Sequence, residues 1–161
     1  RDPLWSRGLG DVYKRQDPTK LIPLFAKAGS NMLTIHLESN GDAKANLAAI
    51  RENGMQAGLA IKPATDWKEV IPYMPLCDMV LVMTVEPGYG GQGFIPECAD
   101  KVAELRKYCN ENGFDEMNIQ VDGGINAATA DTVKKAGANV LVAGTYLFKA
   151  EDMKAATDAI R

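Results

Sequence analysis

Short apolar runs alternate with helix-like segments about five times between position 17 and the end of the chain. The runs are apolar at nearly every position, as in Met79 to Val85, which is typical of strands covered on both faces. The segments between them carry apolar residues at helical spacing and end at glycines such as Gly29, Gly54 and Gly137. This pattern predicts a parallel α/β fold, either a barrel or a doubly wound sheet.

Polar residues or glycines follow the predicted strands. These strands cover Met32 to Leu37, Ala57 to Ile61, Met79 to Val85, Ile119 to Asp122 and Val140 to Ala143. The predicted helices occupy 17–28, 42–53, 96–112, 126–136 and 153–160, with a short one after Asp66. The first helix is expected to carry an apolar stripe made of Leu21, Ile22, Leu24 and Phe25. Ligands bind at the carboxyl ends of strands in both architectures, and no strand-linked GxGxxG supports dinucleotide binding.

Composition excludes several classes of protein. The net charge is −3 and the basic residues are not clustered, which argues against a nucleic-acid partner. No run of about 18 apolar residues predicts a membrane span, and no signal peptide is recognisable. The three cysteines have no CxxC spacing, which favours a reduced, cytoplasmic location. His36 is the single histidine, so this chain cannot build a site from several histidines.

Residues 1–16 do not share the alternating pattern, which starts abruptly at Asp17. We expect this segment to be a non-native or disordered leader, and residues 17–161 to form one domain. The alternative is an ordinary loop or arm.

Asp122 is the sharpest candidate for chemistry, because it ends a buried strand and precedes Gly123 and Gly124. A carboxylate at the mouth of a sheet has a pKa that burial raises and that cations or amide donors lower, which suits it to proton transfer. The two glycines let backbone N–H groups approach an anion closely. The alternative is a structural aspartate that caps the next turn.

Two further loops are candidates for anion binding. The glycines of the loop 86–93 can present successive amides to a phosphate and cover a ligand, although a flexible turn would look the same. Gly144 and Thr145 follow the last strand, where barrels commonly bind phosphate beside a short helix. We expect His36 to be a hydrogen-bonded residue of the inner layer, and Lys62 to be solvated or ion-paired rather than a Schiff base.

Four segments resemble the ribulose-phosphate 3-epimerase family in order and spacing: Ile50 to Thr65, Val80 to Phe94, Val121 to Ile125 and Ala136 to Thr145. The resemblance covers residues 17–161, and its most specific motifs are MTVEPGYGGQ and VDGGI. It implies a (β/α)₈ barrel that epimerises D-ribulose 5-phosphate to D-xylulose 5-phosphate at C3. In this family two aspartates transfer the proton through an enediolate, which a divalent cation (Zn, Fe, Mn or Co) stabilises.

The resemblance also implies roles for individual residues. Asp122 matches one catalytic aspartate, which is also a metal ligand. The residues that match substrate or phosphate contacts are Met83, Gly88, Tyr89, Gly90, Gly91, Gly123, Gly124, Gly144 and Thr145. Thr145 stands where a serine is usual, and Ala64 stands where a glycine is common.

By the resemblance, the strands here look like the fourth to the eighth of the family, so we expect the second aspartate and the other metal ligands to lie outside this sequence. We therefore expect a partial barrel of about five strands that is inactive alone and prone to associate through its edges. The full-length protein is expected to be a homo-oligomer without nucleic-acid or membrane partners. Two alternatives are an allulose-6-phosphate epimerase and a catalytically silent phosphate-binding module.

Overall fold

The computed structural model describes residues 18–88 and 90–161. Within these residues five strands form one parallel sheet: β1 (Met32–His36), β2 (Gln56–Ile61), β3 (Met79–Met83), β4 (Asn118–Asp122) and β5 (Val140–Val142). The α-helices are α1 (Pro18–Lys27), α2 (Ala43–Glu52), α3 (Glu97–Glu111), α4 (Ala127–Ala136), α5 (Gly144–Phe148) and α6 (Met153–Ile160). A 3₁₀ helix covers Trp67–Leu76.

The order of the strands distinguishes the two predicted architectures. The sheet runs β1-β2-β3-β4-β5, so every strand lies beside its neighbour in sequence and all pairs are parallel. A doubly wound sheet contains a point where the strand order reverses, and a barrel does not. The described sheet therefore has the topology of part of a (β/α) barrel.

Side chains at the helix ends explain why the predicted boundaries are close to the observed ones. The Asp42 carboxylate accepts hydrogen bonds from the first-turn amides of α2. Asn126 and Thr129 form a reciprocal capping box at the start of α4. Gly137 ends α4 with φ of +108°, a conformation that favours glycine.

The two faces of the sheet have different surroundings. One face packs against the helices and forms the main core, with fully buried side chains such as Ile35, Leu59 and Val121. We call the opposite face the inner face. It carries a second, smaller apolar cluster made of Ala60, Leu81, Met83 and Val85. Because side chains alternate along a strand, His36 and Asp122 also lie on the inner face.

Two local predictions were wrong. Leu24 is 61% exposed, because two residues of helix rotate it about 200° away from the buried Ile22. β3 ends at Met83 rather than Val85. The short helix predicted after Asp66 is confirmed as a 3₁₀ helix that the Asp66 carboxylate caps and that continues through Pro72 and Pro75.

No helix in the described part of the chain is long and apolar enough to cross a membrane. The predicted leader, Asp17 and Tyr89 lie outside the described residues, so the proposed domain boundary stays a prediction.

Candidate functional site

Asp122 is the last residue of β4, and its register neighbours on the inner face are Met83 and Val142. Thr84 holds the backbone at this point. Its N–H donates to the Asp122 carbonyl at 2.9 Å, and its hydroxyl donates to the Gly123 carbonyl at 2.5 Å. Because Thr84 is fully buried, these bonds fix where the strand ends.

Burial raises the pKa of the Asp122 carboxyl above its ordinary value. Desolvation acts in this direction because it disfavours the charged form. A carboxyl with a raised pKa takes up and releases a proton closer to neutral pH, which is the property that a general acid/base needs.

Packing requires glycine at positions 123 and 124, whether or not a ligand binds there. A β-carbon on Gly123 would lie 2.5 Å from Cγ2 of Val85, and one on Gly124 would lie 2.5 Å from the backbone nitrogen of Phe94. Their φ values of +126° and +65° also favour glycine. The loop after β3 thus packs closely against the end of β4. A role of these amides in phosphate binding stays a prediction.

The glycine-rich loop 86–93 is closed at its base. Ile95 N–H donates to the Thr84 carbonyl at 2.9 Å, and the Gln92 side-chain amide donates to the Glu86 carbonyl at 2.6 Å. The loop leans toward the end of β5, since a β-carbon on Gly90 would lie 3.7 Å from the Thr145 hydroxyl oxygen. The loops after β3 and β5 therefore meet across the end of β4.

Gly144 and Thr145 open α5, and both are exposed. Ala143, the residue before them, makes no side-chain hydrogen bond to the first amides of this helix. A β-carbon on Gly144 would meet no atom within 4 Å. The start of α5 is therefore exposed and carries no side-chain cap.

The structure brings together most of the residues that the sequence singled out. Contacts link Thr84 to Asp122 and Gly123, Phe94 to Gly124, and Gly90 to Thr145. Gly88 and Gly91 lie in the same loop, with φ of +150° and +80°. Tyr89 lies outside the described residues.

Sequence reasoning missed Glu38, which organises a polar network after β1. Its carboxylate accepts hydrogen bonds from Lys62 N–H at 2.8 Å and from the Thr65 hydroxyl, and His36 Nδ1 lies 3.3 Å away. Burial on its own would raise the pKa of Glu38, but hydrogen bonds from His36, Lys62 and Thr65 lower it to about 2. Strand alternation gave no signal for this contact, because β1 ends at His36 and Glu38 lies in the turn that follows.

Lys101 was missed for a similar reason. From α3 its ammonium donates to the carbonyls of Lys62, Pro63 and Thr65, at 3.1, 2.8 and 2.5 Å. This lysine and Glu38 both hold the turn 62–65 by hydrogen bonds. No short motif indicates a contact between residues that far apart in sequence.

The described residues do not build a metal site by themselves. Among residues 18–88 and 90–161 no three or more His, Cys, Asp or Glu side chains are grouped to hold a metal ion. Asp122 is the one predicted ligand that these residues supply. The cysteines are buried, and burial raises the pKa of Cys77 to about 12, so they are inert thiols rather than ligands.

A cleft of about 400 Å³ lies at the opposite end of the strands, lined among others by Gln56, Asp78 and Asn118. Those residues begin or precede strands, whereas barrels bind their ligands at the carboxyl ends. We therefore place the candidate site at Asp122 and not in this cleft.

Comparison with known proteins shows the family of the chain. The chain matches the ribulose-phosphate 3 epimerase family over residues 15–148. It is 47% identical to the ribulose-phosphate 3-epimerase of Candida glabrata, covering 85% of this chain and 54% of that protein. It is 39% identical to the enzyme of the same name from Bacillus subtilis (91% and 67%) and 40% identical to that of Synechocystis (99% and 70%). The chain thus spans 54 to 70% of the length of these curated relatives.

Among solved structures, 3-hexulose-6-phosphate synthase superposes with a TM-score of 0.68 at 20% sequence identity. The match covers 93% of this chain and 70% of that one. At this identity the likeness concerns the fold alone, and it confirms the predicted partial α/β barrel.

Proposed function

The chain belongs to the ribulose-phosphate 3-epimerase family, and from this premise we propose that its strand-end site serves to epimerise D-ribulose 5-phosphate to D-xylulose 5-phosphate at C3. Because the chain spans only part of its relatives, the activity of the whole protein belongs to this proposal. One observation carries it. Asp122 ends β4 at the point where the loops after β3 and β5 meet, through Gly90 and Thr145.

Asp122 is proposed as the acid/base on one face of the substrate carbon. Inverting a carbon beside a carbonyl requires that a proton leaves from one face and returns on the other. The Asp122 carboxylate would take up the proton on its own face, and the protonated form would return it in the reverse direction. The raised pKa of the buried carboxyl supports this role.

The substrate phosphate is proposed to bind the backbone amides of Gly90, Gly91, Gly124, Gly144 and Thr145. Backbone N–H groups that lack a capping partner bind oxyanions well, and Ala143 leaves those at the start of α5 uncapped. Anchoring the phosphate there would hold the sugar over β4, with Met83 beside it. Fixing the reacting carbon next to Asp122 is the contribution of this anchoring to catalysis.

The resemblance assigns a divalent cation to the reaction, which would stabilise negative charge on the substrate oxygen. The donor set of the described residues does not fit it, since Asp122 has no second and third ligand near it there. We propose that the 161-residue chain alone does not turn over ribulose 5-phosphate, because one carboxylate serves one face of the carbon.

A chimera tests the function. The amino-terminal part of the Bacillus subtilis relative would be joined to residues 17–161 of this chain, and epimerisation would be followed by a coupled assay. We expect turnover, and a loss of about 10²-fold or more in kcat for Asp122→Asn. Asp131→Asn, an exposed aspartate paired with Lys135 on α4, is the matched control. A folded chimera without activity, or one in which both variants behave alike, would contradict the proposal.

A second candidate for the isolated chain is phosphate binding without catalysis, which the single carboxylate of the described site favours. Calorimetry with inorganic phosphate, with and without a divalent cation, distinguishes the two: phosphate binding unaffected by the cation supports the silent module. Parallel assays of the chimera on ribulose 5-phosphate and allulose 6-phosphate decide between a pentose and a hexose substrate.

A further inference from the structure

His36 and Glu38 form a buried polar pair on the β1 side of the inner face, and the proposed mechanism does not use it. The His36 side chain is 3% exposed and that of Glu38 is 21% exposed. The ring nitrogen Nδ1 lies 3.3 Å from Oε2 of Glu38. Burying a histidine and a carboxylate together is costly unless their hydrogen bonds are satisfied, so the pair calls for an explanation.

The partners of Glu38 determine where the ring carries its proton. Oε1 accepts two hydrogen bonds, from Lys62 N–H and from the Thr65 hydroxyl, and Oε2 faces His36. The low pKa of Glu38, about 2, keeps it ionised at neutral pH, and an ionised carboxylate can only accept. Nδ1 of His36 must therefore be the donor, and in the neutral ring Nε2 is left as an acceptor.

Nε2 is the part of the ring that stays accessible. No fully buried side-chain nitrogen or oxygen in the described residues lacks a hydrogen-bond partner. Within those residues, the hydrogen-bond contact of the His36 ring is the one between Nδ1 and Glu38. A fully buried Nε2 would therefore be a buried atom without a hydrogen-bond partner, and the described residues contain no such atom. Nε2 must keep some exposure to solvent.

His36 is the last residue of β1 and lies on the inner face, at the same carboxyl end of the sheet as the proposed ligand. It pairs with Ala60, and Ala60 pairs with Leu81, so His36 lies one inward-facing residue before the level of Met83 and Asp122. The phosphate loops follow β3, β4 and β5. A sugar held by its phosphate there would extend its other end toward β1 and β2.

We propose that Glu38 is a positioning residue that holds the His36 ring with its proton on Nδ1, and that Nε2 thereby accepts a hydrogen bond from a hydroxyl group of the bound sugar phosphate. This inference rests on the proposed function, because it concerns the same ligand. It adds a contact on the side of the sheet remote from Asp122. Lys101 supports the arrangement by fixing the turn that carries Thr65.

The tautomer can be measured directly, because His36 is the single histidine of the chain. In a long-range ¹H–¹⁵N spectrum of the ¹⁵N-labelled 161-residue chain, recorded with the ring in its neutral form, we expect a protonated Nδ1 and an unprotonated Nε2. In Glu38→Gln the side-chain amide oxygen should take the place of Oε1, where it accepts hydrogen bonds from Lys62 N–H and the Thr65 hydroxyl. The amide NH₂ group then faces Nδ1 of His36. The proton should then move to Nε2.

Thr65→Val is the matched control, because it removes one donor to Glu38 and leaves the carboxylate facing His36. The ring should keep the wild-type tautomer in this variant. A wild-type ring with its proton on Nε2, or a Glu38→Gln ring unchanged from wild type, would overturn the positioning role. The wild-type spectrum decides the question even if Glu38→Gln does not fold.

The ligand contact is tested by titrating ribulose 5-phosphate into the wild-type chain, with inorganic phosphate as the comparison. We expect the Nε2 resonance to shift with the sugar phosphate and not with inorganic phosphate, while the amides of Gly90 and Gly144 respond to both. Amides that respond while Nε2 stays still would overturn the contact and leave the proposed function standing. If neither responds, the proposed phosphate site fails, and the contact fails with it.

Discussion

Replacing Gly124 by alanine tests how closely the glycine-rich loop packs against the end of β4. The new β-carbon would lie 2.5 Å from the nitrogen and 2.8 Å from the Cα of Phe94, which are backbone atoms that no side-chain rotation can move. Overpacking of this kind costs about 1–3 kcal/mol. The φ of +65° adds about 1 kcal/mol for a residue with a β-carbon. We therefore expect Gly124→Ala to lower the free energy of unfolding by about 3 kcal/mol.

Gly54→Ala separates the two contributions, because Gly54 has a similar φ of +78° and a β-carbon added there would meet no atom within 4 Å. It should cost only the backbone part, about 1 kcal/mol. Urea unfolding measures both, and with a slope of about 2 kcal/mol/M the midpoints of the two variants should differ by about 1 M. Equal midpoints would refute the packing argument for Gly124.

The polar contacts give three further expectations. Glu38→Gln should lower the free energy of unfolding at neutral pH. The fall in the pKa of Glu38 from 4.5 to about 2 corresponds to roughly 3 kcal/mol. Allowing for the exposed fraction of the side chain leaves about 2 kcal/mol. Since this contribution is complete above the unfolded pKa and is lost as pH falls toward 2, the variant and the wild type should converge in acid. Asp122→Asn should stabilise the chain at neutral pH, because burial raises the pKa of the carboxyl and the charged form is costly there; the gain should vanish at pH values below the ordinary aspartate range. Lys101→Met should cost about 2 kcal/mol through its lost carbonyl contacts, whereas Lys107→Met on the exposed side of the same helix should cost under about 0.5 kcal/mol.

Denaturant unfolding at neutral and acidic pH checks all three. A Glu38→Gln difference that persists at about pH 2, a destabilised Asp122→Asn, or equal costs for the two lysine variants would each contradict the corresponding contact.

The order and type of the elements were predictable because local signals agreed with the tertiary fold. Asp42, Asn126 and Gly137 mark helix ends through bonds within a few residues, and the apolar strands show their burial directly. The position of Asp122 at the end of a buried strand was predictable for the same reason, since the strand and the glycines after it are contiguous in sequence.

What could not be predicted depends on contacts between distant residues. Lys101 reaches the turn 62–65 over more than thirty residues, and Glu38 reaches Thr65 over 27. The packing reason for Gly124 became visible only when Phe94 was placed beside it. Leu24 was misassigned because a run of apolar residues in a helix does not show which of them face the core.

The proposed function depends on a sugar phosphate binding where Asp122 meets the loops after β3 and β5. The most direct test is to map backbone amide shifts of the 161-residue chain as ribulose 5-phosphate is added. We predict that the largest changes occur at Gly90, Asp122, Gly124 and Gly144. Changes confined to the cleft around Asp78 and Asn118, at the other end of the strands, would contradict it.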